Sequence, residues 1–239
     1  MTSRVRTRAP VTIVSSVRAA FSAMTDTAGR FLLANLAWFV TAALTVTAGA
    51  SFGPAYVLTA LVVPVTCGLV SMAAHAARKD LPRLRHFRAG MRHRFWTHLA
   101  IGAAQGLVLA GAAVNIGIGM GGDSLLFALI TVVAGYVALG TVVLAVAVWP
   151  LLLDPDRRDA GVPALFRLAL AVIARRPVRM LAVTAMEVAL LAAISEVVVL
   201  GMILPSVGAL IATNFVLPVA DRVQGAGRTT TSPRSAPRG

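Results

Sequence analysis

The sequence predicts an all-α, polytopic transmembrane helical bundle of about six spans, with short amphipathic helices on its cytoplasmic face. Three observations predict it. Apolar residues fill 58% of the 239 positions and charged residues only 13%, whereas soluble domains run near half and a quarter. The apolar residues are gathered in long runs at 31–50, 55–77, 97–120, 125–153, 178–203 and 204–220, lengths suited to a hydrocarbon core ~30 Å thick. All 22 Lys and Arg fall in four segments: before residue 31, within 78–94, within 157–179, and after 220. The intervening loops at 51–54, 121–124 and near Pro205 carry none. That alternation is the positive-inside pattern for a multi-pass plasma-membrane protein with both termini cytoplasmic. It also accounts for the net charge of +13 through orientation and attraction to anionic headgroups, without nucleic acid.

The elements follow in order. Residues 1–10 are basic and read as disordered, 11–222 as one membrane domain, and 223–239 (GAGRTTTSPRSAPRG at its end) as a disordered tail. Val14, Val17, Phe21 and Met24 recur at helical spacing with Arg18 opposite, which predicts an amphipathic surface helix. The run from Phe31 reads as a retained span, not a cleaved leader. Asn35 and Trp38 stand one turn apart in it, and an amide in lipid must turn toward the bundle to find a partner. Gly53-Pro54 makes a tight outer turn. The second span holds Cys67, the single cysteine, which has no second thiol for a disulfide or a zinc set.

Leu84, Phe87, Met91 and Phe95 repeat the surface-helix spacing. Arg83, Arg85, Arg88, Arg92 and Arg94 fill the gaps and are the expected surface for anionic lipid or an acidic partner. In the third span Gly102-Ala-Ala-Gln105-Gly106 is a small-xxx-small pattern that admits another backbone, with Gln105 hydrogen-bonded across the contact. Gly117 to Gly122 matches G-x-G-x-x-G in form, but it joins two spans rather than opening a βαβ unit, so a flexible turn with a solvated Asp123 is the expectation. Leu165 to Arg176, with Pro163 near its start, is a third surface helix with a less sharp apolar face. The likeness of the three surface segments fits either an ancestral triplication or the shared demands of orientation. The last run lies between Pro205 and Pro218 with Asn214 inside, at the lower limit for a span. A re-entrant segment, leaving the tail outside, is the alternative.

No cofactor or metal site is expected. His75, His86, His93 and His98 read as interfacial surface histidines, since the arginines around them repel a cation. There is no Ser/His/Asp elbow, Walker lysine or H-E-x-x-H. Glu187 is the one acid deep inside a span, and Asn35, Asn115, Asn214 and Gln105 complete the intramembrane polar set. Glu187 is expected to be a structural, protonated hydrogen-bond donor to a neighbouring helix through Asn115 or Asn214, rather than a protonatable site facing a cavity.

The pattern Asn35-Leu-Ala-Trp38, then Gly53-Pro54-Ala55 before the second span, resembles the YesL-like family of bacterial integral membrane proteins of unknown function. His86-Phe87-Arg88 to Phe95-Trp96, Leu165 to Pro177, and Pro205 to Leu217 extend the resemblance over roughly residues 20–222. It implies a role near carbohydrate uptake, beside an ABC importer. The leading expectation is therefore a non-enzymatic membrane protein accessory to a transport system, with an ABC transporter permease or a second copy of the chain as partner. The second is a small oligomeric transporter or channel whose path is lined by Glu187, Asn35, Asn115 and Asn214. A membrane enzyme, resting on Glu187 and Glu196, is the third.

Overall fold

A computed structural model describes residues 12–52, 56–122 and 124–230. Eight α-helices account for almost all of them, with no strand among the described residues. They are α1 (Ile13–Phe52), α2 (Tyr56–Ala77), α3 (Leu84–Arg92), α4 (Phe95–Met120), α5 (Leu125–Leu152), α6 (Val162–Arg175), α7 (Pro177–Glu196) and α8 (Leu204–Thr230). Five of these, α1, α4, α5, α7 and α8, are long and apolar enough to cross a membrane; the described apolar part of α2 is the shorter stretch Val62–Ala77. The Gly53-Pro54-Ala55 turn, Asp123 and residues 1–10 lie outside the described residues.

The long helices run as three hairpins, α1–α2, α4–α5 and α7–α8, and the basic segments between them meet at one end. Arg30 Nη1 donates to the Pro82 carbonyl at 2.8 Å. Arg94 reaches the carbonyls of Ala160 and Arg158 at 2.8 and 2.7 Å. Arg78 at the end of α2 is paired with Asp154 just beyond α5 and with Asp221 late in α8. Because Asp221 is back at this end, α8 returns along the whole bundle. The last run is a helix long and apolar enough to cross a membrane, as a full crossing requires.

Several boundaries depart from the sequence expectation, each for a local reason. The surface helix at 13–26 is not separate but merges into the first span across a kink at Thr27 (φ −136°, ψ 24°), whose hydroxyl is bonded back to Ala23. Its buried side is Ser16, Ala20 and Thr27, while Val14 is 68% and Phe21 57% exposed. Small residues make its most buried contacts, with Val17 and Met24 half-buried beside them. α4 continues through Gly117 and Gly119 to Met120, so only the end of the glycine-rich stretch is a turn. α7 stops at Glu196 rather than 203, where Val197 turns extended and a 3-10 turn covers Val198–Met202; the β-branched Val197-Val198-Val199 disfavours helix. α8 carries on to Thr230, so residues 223–230, expected to be disordered, are helical. Arg157 holds the start of that extension through Asp221 and Gln224. The rest of the tail lies outside the described residues.

The short helices are set by chain breaks. α2 ends in a Schellman arrangement: Lys79 takes the left-handed conformation (φ 64°), Asp80 N–H bonds the His75 carbonyl, and Lys79 N–H bonds that of Ala76, both at 2.9 Å. Arg94 is also left-handed (φ 47°) and separates α3 from α4. Its two bonds to carbonyls of the 158–160 loop offset a conformational cost of roughly 1–2 kcal/mol. α3 lies on α2 through two glycines. A Cβ on Gly68 would come within 2.6 Å of the Phe87 ring, and one on Gly90 would overlap Ser71 and lie 2.8 Å from the Cys67 carbonyl. Of the apolar face of α3, Phe87 is thus buried on protein while Leu84 stays exposed.

The buried core runs along α2 and α8, with Cys67, Leu69 and Met72 on one and Leu210, Phe215 and Leu217 on the other. α8 is the most enclosed of the candidate spans, with 67% of its apolar window buried against 6–22% for the other four. That explains why its apolar run can hold Ser206, Thr213, Asn214 and Pro218. A helix surrounded by protein does not need the apolarity of one that faces lipid.

Candidate functional site: an intramembrane cavity at Glu187

Six helices leave a cavity of about 370 Å³ between them, and each sends a residue to its wall: Trp38 (α1), Thr66 (α2), Gln105 (α4), Trp149 (α5), Glu187 (α7) and Ala209 (α8). Its volume is within the range of small-molecule pockets. It extends from Trp149, one turn from the basic end of α5, to Pro205 at the far start of α8. Val188 and Leu191 are on the wall and are about half exposed. The cavity therefore reaches the outer surface of the bundle along α7.

The polar groups fall into two kinds. The first are satisfied within the fold. Trp38 Nε1 donates to Thr66 Oγ1 at 3.0 Å, and Thr66 Oγ1 donates to the Val62 carbonyl at 2.8 Å. Trp149 Nε1 donates to Gln105 Oε1 at 3.0 Å, which ties α5 to α4, whereas the small-xxx-small contact at Gly102, across which Gln105 was expected to bond, is made with Val63 of α2. Thr141 donates to the Val137 carbonyl of its own helix. The second kind are shielded and have no partner among the described residues: Gln105 Nε2 and Glu187 Oε1. Glu187 lies ten residues into α7, about 15 Å from its start at ~1.5 Å per residue. Its carboxyl sits against Gly208 of α8, where any Cβ would collide with it.

The residues expected to engage Glu187 do not reach it. Asn115 Nδ2 bonds the Gly111 carbonyl and Asn214 Nδ2 the Leu210 carbonyl, each within its own helix at 2.8 Å. Asn115 is exposed beside a separate cavity between α4 and α5. Asn35 is fully buried as expected, but it joins α1 to α8, donating to Ser206 Oγ at 2.8 Å and to the Ile203 carbonyl at 3.3 Å. Glu196 is exposed nine residues along from Glu187, so the two acids do not form a pair. In the small-xxx-small pattern only Gly102 meets another helix, with Val63 within 2.6 Å of a Cβ placed there; Gly106 faces open space.

At the basic end Arg83, Arg85, Arg88 and Arg92 are exposed, as a binding surface requires, while Arg94 is committed to the 158–160 loop. The histidines are less superficial than expected. His75 and His98 are buried, and His75 stacks on His86 with ring centroids 3.9 Å apart. Burial, the neighbouring His75 and Arg85 push His86 down to about 4. His93 is also lowered, by burial and then by Arg94 and Arg158. No group of three metal-ligating side chains forms among the described residues.

One feature escaped the sequence reading. Asp154, completely buried, pairs with Arg78 and Arg157, and Asp221 pairs with the same two arginines. Burial opposes the charge on Arg78, but the two carboxylates outweigh it and raise its pKa. The signal was available: Asp154 and Asp221 are acids flanked by arginines at the ends of two predicted spans. Counting only Lys and Arg concealed them. No family model matches the chain, and neither a curated protein nor a solved structure matches it.

Proposed function

We propose that the chain is a multi-pass plasma-membrane protein, both termini cytoplasmic, that takes a small, apolar-bodied molecule from the bilayer into its intramembrane cavity as a carrier, without bond chemistry of its own. The observation that supports this is the pairing of a cavity of about 370 Å³ with a shielded carboxyl oxygen that has no partner among the described residues. Polar groups buried in lipid without partners are costly and mark functional paths. The wall offers little to catalysis. Its hydroxyls are bonded to their own helices, and Glu187 is the one ionisable side chain on it. The structural role first expected for Glu187 loses support, since neither Asn115 nor Asn214 is its partner.

The accessory role beside a carbohydrate importer is the second reading. It is favoured by the exposed arginines of α3, which suit an acidic partner or anionic headgroups. A sugar itself does not suit the cavity, whose walls supply too few free hydrogen-bonding groups for a ring of hydroxyls.

A photoreactive test separates the two. Purified protein in phosphatidylcholine liposomes is irradiated with a diazirine-bearing octanol, and the labelled peptides are mapped by mass spectrometry. Labelling is expected at Leu109, Val146 and Leu190, and is expected to disappear from these positions in Ala145→Phe, whose ring would occupy the cavity. Labelling confined to outward residues such as Leu107 and Tyr136 would overturn the carrier reading.

A further inference from the structure

We infer that the ligand of this cavity is a lipophilic monocation, with the Glu187 carboxylate as its counter-ion and the Trp38 and Trp149 rings as its cradle. The inference rests on the carrier reading above and adds the ligand's charge and class. Three features of the wall carry it.

The first is electrostatic asymmetry. Glu187 is the sole ionisable group on the wall; α1, α2, α4, α5 and α8 present no ionisable side chain to it. Every Lys and Arg of the chain lies in the four basic segments, none of them is on the cavity wall, and at the basic end Arg78 and Arg157 are paired with carboxylates. An anionic ligand would meet the carboxyl with no cation to compensate, whereas a cation would complete a pair.

The second is that the carboxyl is held by shape rather than by hydrogen bonds. It packs against the backbone of α8 at Gly208, where a side chain would displace it, and Oε1 is shielded without a partner. A carboxyl serving only the fold would be expected to bond a neighbouring helix, and the two amides within nearby spans are turned to their own helix carbonyls.

The third is the aromatic pair. Both indole N–H groups are engaged, by Thr66 and by Gln105. Their N–H groups are therefore spent, His98 already lies T-shaped to the Trp149 ring, and both indoles remain on the cavity wall. An indole face is the best aromatic partner for an organic cation. Gln105 Nε2 is free to donate to one acceptor on the ligand. The remaining wall is aliphatic, which selects alkyl or aryl bulk around the charge.

Binding has a proton balance. When the carboxyl is protonated beforehand, the cation displaces that proton, so a neutral acid and a cation become an ion pair and one proton leaves to water. The experiment uses three isosteres that differ in charge: methyltriphenylphosphonium, 1,1,1-triphenylethane and methyltriphenylborate. Full-length protein in phosphatidylcholine nanodiscs is titrated at pH 6 with each, measuring affinity and proton release in two buffers of different ionisation heat. The expected result is that the cation binds most tightly and releases protons. Glu187→Gln should weaken the cation about 10- to 150-fold, as for loss of a charged hydrogen bond, while leaving the neutral isostere unchanged. That unchanged affinity also reports an intact cavity. If the neutral isostere binds the unsubstituted protein as tightly as the cation, and no proton is released, the inference is overturned while the carrier reading stands. If none of the three binds, both are overturned. Cation preference and proton release are read on the unsubstituted protein, so the outcome does not depend on the variant folding.

Discussion

Asp154→Asn isolates what the buried ion cluster contributes. The carboxylate is completely buried and receives the guanidinium groups of Arg78 and Arg157, and its Oδ1 also accepts the Asp156 N–H at 3.2 Å. Asparagine keeps the volume but leaves the two cations with the partly exposed Asp221 and, for Arg78, the exposed Asp156. Breaking a buried pair costs about 3–5 kcal/mol. The lower end applies, because Asp221 still reaches both arginines. At roughly 2–4 °C per kcal/mol for a chain of this size, the melting temperature in detergent should fall by about 6–12 °C. Asp156→Asn is the control: its side chain is 62% exposed against Arg78, and an exposed pair contributes ~0–1 kcal/mol. Differential scanning fluorimetry of both variants decides the matter. Equal melting of Asp154→Asn and Asp156→Asn would refute the reasoning, since burial would then make no difference to the pair.

Other expectations follow from separate parts of the fold. Gly90→Leu should push α3 off α2, because even a Cβ there overlaps Ser71; overpacking of this kind costs about 1–3 kcal/mol, and faster trypsin cleavage after Arg88 and Arg92 would report it, whereas an unchanged digest would contradict the close packing. The seating of α3 should also depend on pH. His86 titrates at about 4 in the fold against 6.5 when free, so the unfolded state binds more protons between those values, and stability present above pH 6.5 is lost as pH falls toward 4. The groups around it are His75, Arg83, Arg85 and Asp80. Hydrogen exchange at 84–92 should quicken over that window in the parent and not in His86→Gln, and flat exchange in the parent would exclude the effect. For orientation, in a Cys67→Ala background an impermeant thiol reagent on intact cells should label Ser124→Cys and spare Arg88→Cys; the reverse pattern would invert the topology.

The spans and their pairing were legible because lipid demands long apolar runs and because Lys and Arg stay on one side. The same physics explains what was not legible. In water an apolar stripe marks the buried face, but beside lipid both faces of a helix have apolar surroundings. The stripe of Val14, Val17, Phe21 and Met24 was read as one apolar face of a surface helix, yet it divides: Val14 and Phe21 point outward, while Val17 and Met24 lie against the core beside the buried Ser16 and Ala20. Packing in a membrane favours small residues that let backbones approach. Gly68, Gly90 and Gly102 do this while Gly106 does not, a distinction that no spacing pattern contains. The last run looked weak for a related reason. Its polar residues and prolines lowered its apolarity, although α8 is the helix most enclosed by protein.

The candidate site was legible by composition and not by arrangement. Glu187, Gln105 and Asn35 stood out because polar groups within spans are few, but which of them share a space depends on how six helices rotate about their axes. Asn35 went to Ser206 and completes a contact between α1 and α8. Gln105 satisfied its oxygen with Trp149 and kept its N–H₂ group toward the cavity. Glu187 alone among the three has no hydrogen bond to another helix. Other shielded polar atoms also have no partner among the described residues, Asn35 Oδ1, Arg157 Nε and Thr184 Oγ1 among them, so the missing bond alone does not single out Glu187. What distinguishes Glu187 is that it is the one ionisable side chain on the cavity wall. Gly208→Ala is therefore informative: the added methyl should displace the carboxyl and weaken cation binding, while the Asp154 cluster at the basic end keeps the bundle assembled.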